Sequence, residues 1–458
     1  MKSSRAAVHR KTHALPELRF EEQQLTSFSG MVLIQQLFTH LRLKERLRRC
    51  FRHLTKTPIF GWPSIVLLLI VHALLGYRDL RHIRYYNDDP LVKRVLGLCR
   101  LPDVATISRA LADADEQSVR GLRRLLGEMV LLRLTALCVG RVTLDFDGSV
   151  IGTSRYAEGT AVGFNRKKKG QRSYYPLFCT VAQTGQVLDM LHRSGNVHDS
   201  NGAKAFISAC ISQVRAVLPR TLIEVRMDAA FFSATIVTML EENGVDYTVS
   251  VPFERLVELK KITEARSRWY RLSEPCAYFE LAWKPKSWAR RRRFLFVRTE
   301  VRQQYKEPIQ LDLFTPYQYG YEFKVILTNK HLSARKVLMF HQGRGAQEGL
   351  FAELKSDNQM GYVPTRTWVG NQIYLLSVLL AHNLARELQM IAHPPSRLTL
   401  EKRPALWDFL RLSTLRRQFI QRAGRLIRPH GRLTLSMSAN QSVQDGLLHY
   451  LHALGCPV

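Results

Sequence analysis

Acid is what this chain is short of. Its 458 residues carry 38 Asp and Glu against 68 Lys and Arg, a formal charge of +30. The basic excess runs along the whole chain and is not gathered in one tail, so a large polyanion, most simply DNA or RNA, is the expected partner. Paired cysteines are lacking too. The seven, at positions 50, 99, 138, 179, 210, 276 and 456, stand singly with no CxxC, which argues against a zinc site or disulfide framework and for thiols in a reducing compartment. Apolar runs long enough for a bilayer are missing. The longest, "PSIVLLLIVHALLGY" from Pro63 to Tyr77, holds His72 and opens on a Pro suited to a first helical turn, so it reads as a buried helix. The opening "MKSSRAAVHRKTHALPELRF" has no apolar core of a secretory signal. Together these absences predict a cytoplasmic protein that does not enter a membrane. With 46% apolar and 23% charged residues, the composition is that of a folded chain long enough for two or three domains.

Periodicity divides the chain. Residues 1–140 show apolar positions at helical spacing throughout. Within them "VATISRAL" has the look of a DNA-reading helix, with Thr106, Ser108 and Arg109 near its start, though an ordinary capped helix has the same pattern. From 141 the period becomes two. "RVTLDFDGSVIG" alternates Val142, Leu144 and Phe146 with Thr143, Asp145 and Asp147, placing both acids on one strand face. A hairpin around Thr184-Gly185, a helix capped near Asp199 or Ser200, a strand "TLIEVRMD", a helix closed by Gly244 and a strand "VDYTVSVPF" follow. Three strands, helix, strand, helix, strand is the order of a ribonuclease-H-like α/β domain. Residues 254–330, with Trp269, Trp283, Trp288 and the run Arg290 to Arg293, read as a separate β-rich insertion. Helices are expected again from about 334, and a basic helical tail closes the chain.

Two features carry chemistry. Asp228 ends a buried strand with no turn residue beside it, which costs free energy unless a cation or a hydrogen-bond network meets it. His341, Arg344, Glu348 and Lys355, at steps of three, four and seven, share one face of a single expected helix, while Glu353 points elsewhere. Read alone, that stripe is also what a surface ion pair with a spare Lys would give.

These residues resemble the DDE transposases of bacterial insertion sequences, in the superfamily with the signature Tyr-x2-Arg-x3-Glu-x6-Lys. "HQGRGAQEGLFAELK" keeps the Arg, Glu and Lys as Arg344, Glu348 and Lys355, with His341 where the Tyr is expected. "RMDAAFFS" is similar to the second-Asp motif, "LDFDGSV" to the first, "GNVHDSNGA" to the segment after the third strand, and "NQIYLLSVLLAHNLARE" with "LRRQFIQRAGRLI" to the C-terminal helices. The resemblance implies a ribonuclease-H-like core (141–253 and 331–390) interrupted by the insertion at 254–330, an all-helical DNA-binding region at 1–140 and a basic helical region at 391–458. It implies that Asp147, Asp228 and Glu348 are catalytic and hold two Mg²⁺, or Mn²⁺, with Asp145 the alternative first acid or an orienting neighbour. Gly148 would then let the DNA backbone come close. Arg344, Lys355 and His341 would contact phosphates. Trp283 and Trp288 are candidates for stacking on an extruded base, and Lys167, Lys168, Lys169 and Arg109 for phosphate contacts. The implied activity is cut-and-paste transposition at inverted repeats, on double-stranded transposon ends and target DNA, by at least a homodimer in the bacterial nucleoid. A structure-selective nuclease of the same fold and an inactive, transposase-derived DNA-binding protein are the alternatives.

Overall fold

The computed structural model describes residues 16–55, 58–163, 165, 168–197, 201–300, 320–397 and 402–456. Its fold is mixed α/β, built on a nine-stranded mixed sheet. The strands are β1 (Arg141–Gly148), β2 (Leu177–Val181), β3 (Gln186–Leu191), β4 (Leu222–Met227), β5 (Asp246–Ser250), β6 (Tyr270–Ser273), β7 (Cys276–Trp283), β8 (Arg292–Glu300) and β9 (Tyr321–Thr328), in the spatial order 6-7-8-9-5-4-1-2-3. β1, β2 and β3 run antiparallel in turn, whereas β1, β4 and β5 are parallel.

Alternation in β1 sends Val142, Leu144 and Phe146 into one core, where Phe146 meets Phe206 of α7 (Ala203–Val217) edge-on at 6.0 Å. The opposite face turns to α10 (Ala334–Gln342) and α11 (Ala346–Ser356), and Phe178 of β2 packs on Phe351 there at 5.2 Å. Covered on both faces, the central strands keep one apolar face in this core, while the polar side chains of the other face, such as Asp145, Glu224 and Arg226, are buried and paired.

Residues 254–330 differ from expectation. β6 to β9 do not form a separate sheet: β9 pairs with β5, Ile326 opposite Ser250, and carries the other three onto the edge of the central one. The C-terminal region differs as well. "LRRQFIQRAGRLI" is helical only to Ile420, after which Gly424–Ile427 and Thr434–Met437 join Leu25–Thr26 in a small three-stranded sheet.

Apart from that short strand, the described part of 1–140 is helical: α1 (Met31–His40), α2 (Leu43–Cys50), α3 (Trp62–Leu75), α4 (Pro90–Leu96), α5 (Val104–Ala112) and α6 (Glu116–Ala136), with a 3₁₀ turn at Leu80–Tyr85. α3 is the apolar run, buried on every side from Ile65 to Leu75, and Gly76 ends it at a φ of 86° that suits glycine. Among the described residues no helix is long and apolar enough to cross a membrane. α3 lies instead against α12 (Trp368–Ala392), itself buried along most of its length. One hydrophobic core takes in α1 to α6, α12 and Phe178, Val187 and Met190 of the sheet.

A buried charge hub ties the sheet to the chain that follows α12. Glu224 of β4, fully buried, accepts from Lys330 Nζ (2.6 Å), Arg403 Nε (3.0 Å), Arg141 Nη1 (3.1 Å) and Thr143 Oγ1 (3.1 Å). Burial alone would raise its pKa, but the hydrogen bonds from Arg403 and the charge of Lys330 hold it down to about 2.

Candidate active site

The register of β1 and β4 sets the first two carboxylates side by side. Phe146 is opposite Met227, so the next residue of each strand puts Asp147 beside Asp228, about 4.8 Å away in strand spacing. Both are partly exposed at the ends of their strands. Asp228 caps a 3₁₀ turn at Ala229–Phe231 by accepting from Ala230 N at 2.9 Å, and Asp147 accepts from Gly148 N at 2.8 Å.

Asp145, two residues earlier, has a different fate. It is buried, and both its oxygens accept from Arg226, at 2.5 Å from Nε and 2.6 Å from Nη2. Arg226 has no exposed side-chain surface and also donates through Nη1 to Phe340 O (3.1 Å) and Lys402 O (2.7 Å). Asp145 therefore fastens strand to helix and is not open to a ligand. Arg226 escaped the sequence reading, although an Arg two residues before a strand-ending Asp needs a buried partner, and Asp145 stands opposite it in the register.

The expected helix over 334–357 forms, but it tightens to a 3₁₀ turn between two α segments. α10 and α11 are joined by a tight turn, Gly343–Gly345. A Cβ on Gly343 would fall 1.9 Å from Lys402 O and 2.0 Å from Arg226 Nη1, so only glycine lets these elements meet. The turn carries Arg344, whose Nη1 is 3.4 Å from Asp147 Oδ2 and whose Nη2 is 3.9 Å from Glu348 Oε1. Gln347 anchors the first turn of α11, donating to Asp145 O and Thr180 Oγ1, each at 3.1 Å. Glu348, next along, is 72% exposed. One guanidinium thus joins the carboxylates of β1 and α11.

The site also includes Lys324 of β9, brought in by the added strands. Partial desolvation and then repulsion from Arg344 lower its pKa, with Glu348 opposing. Lys355 lines a cleft of about 800 Å³ with Lys168, Arg78, Arg81 and Arg155. Its wall includes Ser108 of α5, whereas Arg109 is exposed and folds back on its own helix, 3.4 Å from Thr106 Oγ1. Lys169 is exposed, and Lys167 lies outside the described residues.

Three expectations are corrected. His341 cannot meet a phosphate, because it is 1% exposed and its nitrogens lie 3.0 Å from Thr248 Oγ1 and 2.8 Å from Ser250 Oγ. Burial, then the charges of Lys324, Arg344 and Arg226, push its pKa well below the usual value, leaving a neutral strut between α10 and β5. Trp288 is not free to stack on a base: Phe232 covers it at 4.8 Å, and Arg292 sits over the ring at 5.2 Å. Trp283, partly buried, packs edge-on to Phe294 at 5.0 Å. Gly148 offers no room to a DNA backbone either, for the Tyr175 ring occupies its side, 2.6 Å from where a Cβ would be.

Among the described residues no three His, Cys, Asp or Glu side chains stand close enough together to hold a metal ion. The oxygen donors of Asp147 and Asp228, side by side and partly exposed, are nevertheless of the kind a hard divalent cation takes. The two glutamates of α11 separate cleanly. Glu353 is buried against Arg386 and accepts from Leu412 N at 3.0 Å. Glu353→Ala should cost about 3–5 kcal/mol by leaving Arg386 uncompensated, whereas Glu348→Ala should leave the melting temperature unchanged. Thermal melts of both variants decide this, and equal stability would show that the pair carries no weight.

A profile of the family described as transposase DDE domain group 1 matches residues 10–455. Among curated proteins none matches the chain significantly. Among solved structures it is similar to a piggyBac transposase synaptic complex with hairpin DNA, determined by cryo-EM (12% identity, TM-score 0.37, 78% of this chain and 75% of that one). Another is the crystal structure of a pre-cleavage Mos1 transpososome (12% identity, TM-score 0.17, 50% of this chain and 78% of that one).

Proposed function

Since the chain belongs to the transposase DDE domain group 1 family, whose members cleave and transfer DNA strands, we propose that it excises and inserts an insertion sequence, acting on the terminal inverted repeats in double-stranded DNA. The observation that carries this reading is the pairing of Asp147 and Asp228 at adjacent strand ends, with Glu348 joined to Asp147 through Arg344. The strand order 3-2-1-4-5 of the central five, antiparallel then parallel, supports a ribonuclease-H-like core spanning 141–253 and 331–390, with 254–330 inserted.

In this proposal Asp147, Asp228 and Glu348 hold two Mg²⁺, which when bound would activate the attacking water or 3′-hydroxyl and stabilise the leaving oxygen. The chain's own residues do the rest. Arg344 exchanges its carboxylate contacts for a phosphate beside the cut, a bidentate match that its planar fork suits. Lys324 and Lys355 add point charges on either side, and Lys168, Arg78, Arg81 and Arg155 hold the backbone along the cleft. Arg226 fixes β1 against α10, so the carboxylates stay aligned as DNA enters. At least two copies act together, one for each end.

The test is incubation of the protein with labelled element ends and Mg²⁺, with strand cleavage and joining to a target as the readouts. No cleavage of any candidate end by wild-type protein would sink the proposal. Binding should also weaken steeply with salt, because each phosphate neutralised releases counterions. With the five basic residues of the cleft engaged, log K should fall against log[salt] with a slope of about −4 or steeper. A flat profile in a filter-binding or anisotropy titration would rule out the polyanion.

A further inference from the structure

A second basic cleft, of about 1090 Å³, lies where α2 crosses α6. Gly121 permits the crossing, since a Cβ there would meet Cys50 O at 2.9 Å. Arg46 and Arg49 project from α2, Arg120 and Arg124 from α6, and Arg52 stands at the end. Against these five only Glu128 of the lining is acidic. The neighbouring Asp115 is already engaged, by His53 Nε2 at 3.0 Å and as the cap of α6 through Ser118 N at 2.7 Å. Among the described residues none of the five arginines forms an ion pair, although Arg123, beside them on α6, is paired with Asp189. The cleft thus concentrates unneutralised charge that the fold itself does not use. Its floor is apolar, with Leu125, Leu131 and the exposed Leu132 and Val217. Neither Asp147, Asp228, Glu348 and Arg344 nor any residue of the cleft at Lys355 lines it, and α6 packs on β3, two strands away from Asp147 in the sheet order.

We propose that the α2–α6 cleft is a second DNA-backbone site, taking phosphates of the duplex away from the cut on Arg46, Arg49, Arg52, Arg120 and Arg124. This rests on the reading of the protein as a DNA-acting enzyme. Arginines three or four positions apart on a helix sit about 5–6 Å from each other, which lets one helix address successive phosphates of a strand. The apolar floor suits the deoxyribose faces between them. The cleft is too small for the body of a duplex, so it holds backbone at the duplex edge and positions without specifying.

The experiment uses the full chain with Arg49, Arg52, Arg120 and Arg124, all exposed, changed together to Gln. Anisotropy with a labelled 30-base-pair duplex is followed over a salt series. The variant should bind roughly tenfold or more weakly near 0.1 M salt, with a slope shallower by about 2 to 4, because each lost phosphate contact removes about 0.9. A control in which Arg290, Arg291, Arg428 and Arg432 become Gln removes the same charge elsewhere and should keep the wild-type slope. If one of the variants melts early, the double change Arg49→Gln, Arg120→Gln should still lower the slope by about half as much. An unchanged slope in the cleft variant, or an equal loss in the control, overturns the assignment while leaving the catalytic reading intact. A wild-type chain with no affinity for the duplex overturns both, and one that binds DNA but cuts nothing overturns the catalytic reading alone.

Discussion

Asp147→Asn and Asp228→Asn are each expected to abolish cleavage of element ends, in Mg²⁺ and in Mn²⁺, while the affinity for end DNA stays close to wild type. The substitution keeps size and hydrogen-bonding shape but removes the charge that a hard cation requires. The loss should exceed the ~10- to 100-fold drop typical of a residue that only orients a ligand. Asp145 is the informative contrast. Its carboxylate is committed to Arg226, which is buried without any exposed surface. Asp145→Asn should therefore lower stability by about 3–5 kcal/mol through an uncompensated guanidinium, and the fraction that remains folded should still cut. Cleavage on pre-bound DNA, with a thermal melt of each variant alongside, separates the two effects. Full activity in Asp147→Asn with an inactive but well-folded Asp145→Asn would move the first catalytic acid two residues upstream.

The second large effect is acid lability. Four histidines are buried as neutral rings. Burial pushes His72 down to about 4, with His82 adding to the shift, and His192 down to about 3. Burial and the charge of Arg386 push His382 to about 3, and His341 is also well below its usual value. The unfolded chain takes up these protons near pH 6.5, and the folded one only some units lower. Below pH 6.5 the unfolded state therefore binds more protons, and stability falls as pH drops until the folded values are reached. At pH 5 the gap is worth about 2 kcal/mol for each of His72, His192 and His382, which summed over the three rivals the whole stability of an ordinary domain. The melting temperature should fall steeply between pH 6.5 and 4. His192 gives the cleanest check. It lies between Tyr174 and Trp368, at 4.3 and 4.4 Å, and neither nitrogen has a hydrogen-bond partner among the described residues. His192→Phe should flatten the curve, and a melting temperature equal at pH 7.5 and pH 5 would refute the scheme.

What sequence could reveal here was local. The alternation in "RVTLDFDG" is enough to place Asp145 and Asp147 on one face, and the wild-type register bears that out through Arg226 and Arg344. The hairpin at Thr184-Gly185 and the helix ended by Gly244 follow equally from turn chemistry. Whatever depended on distant chain was hidden. The need for glycine at 343 is set by Lys402, some sixty residues on, and the burial of His341 by Thr248 and Ser250 of another strand. Helical spacing put His341 in line with Arg344, but His341 faces β5 and is buried while Arg344 reaches Asp147. The tryptophans had the right composition for base contacts, yet the faces of Trp288 are filled by Phe232 and Arg292. Pairing of Ile326 with Ser250 merges the supposed separate region with the sheet, and that in turn supplies Lys324 to the site.

The embrace of α3 by α12 also governs how this protein is made. α3 ends at Leu75 and its main cover begins at Trp368, so roughly 300 residues must leave the ribosome before the apolar rod is fully enclosed. At about 5–20 residues per second that is on the order of 15–60 s of exposed hydrophobic surface on a nascent chain. The N-terminal helices therefore complete their core only after α12 has been made. Synthesis interrupted anywhere before α12 yields a chain whose α3 has only α2, α4 and α5 against it and lacks its most extensive cover, a natural substrate for chaperones and proteases. Only a copy translated through α12 acquires the core on which the N-terminal helices rest.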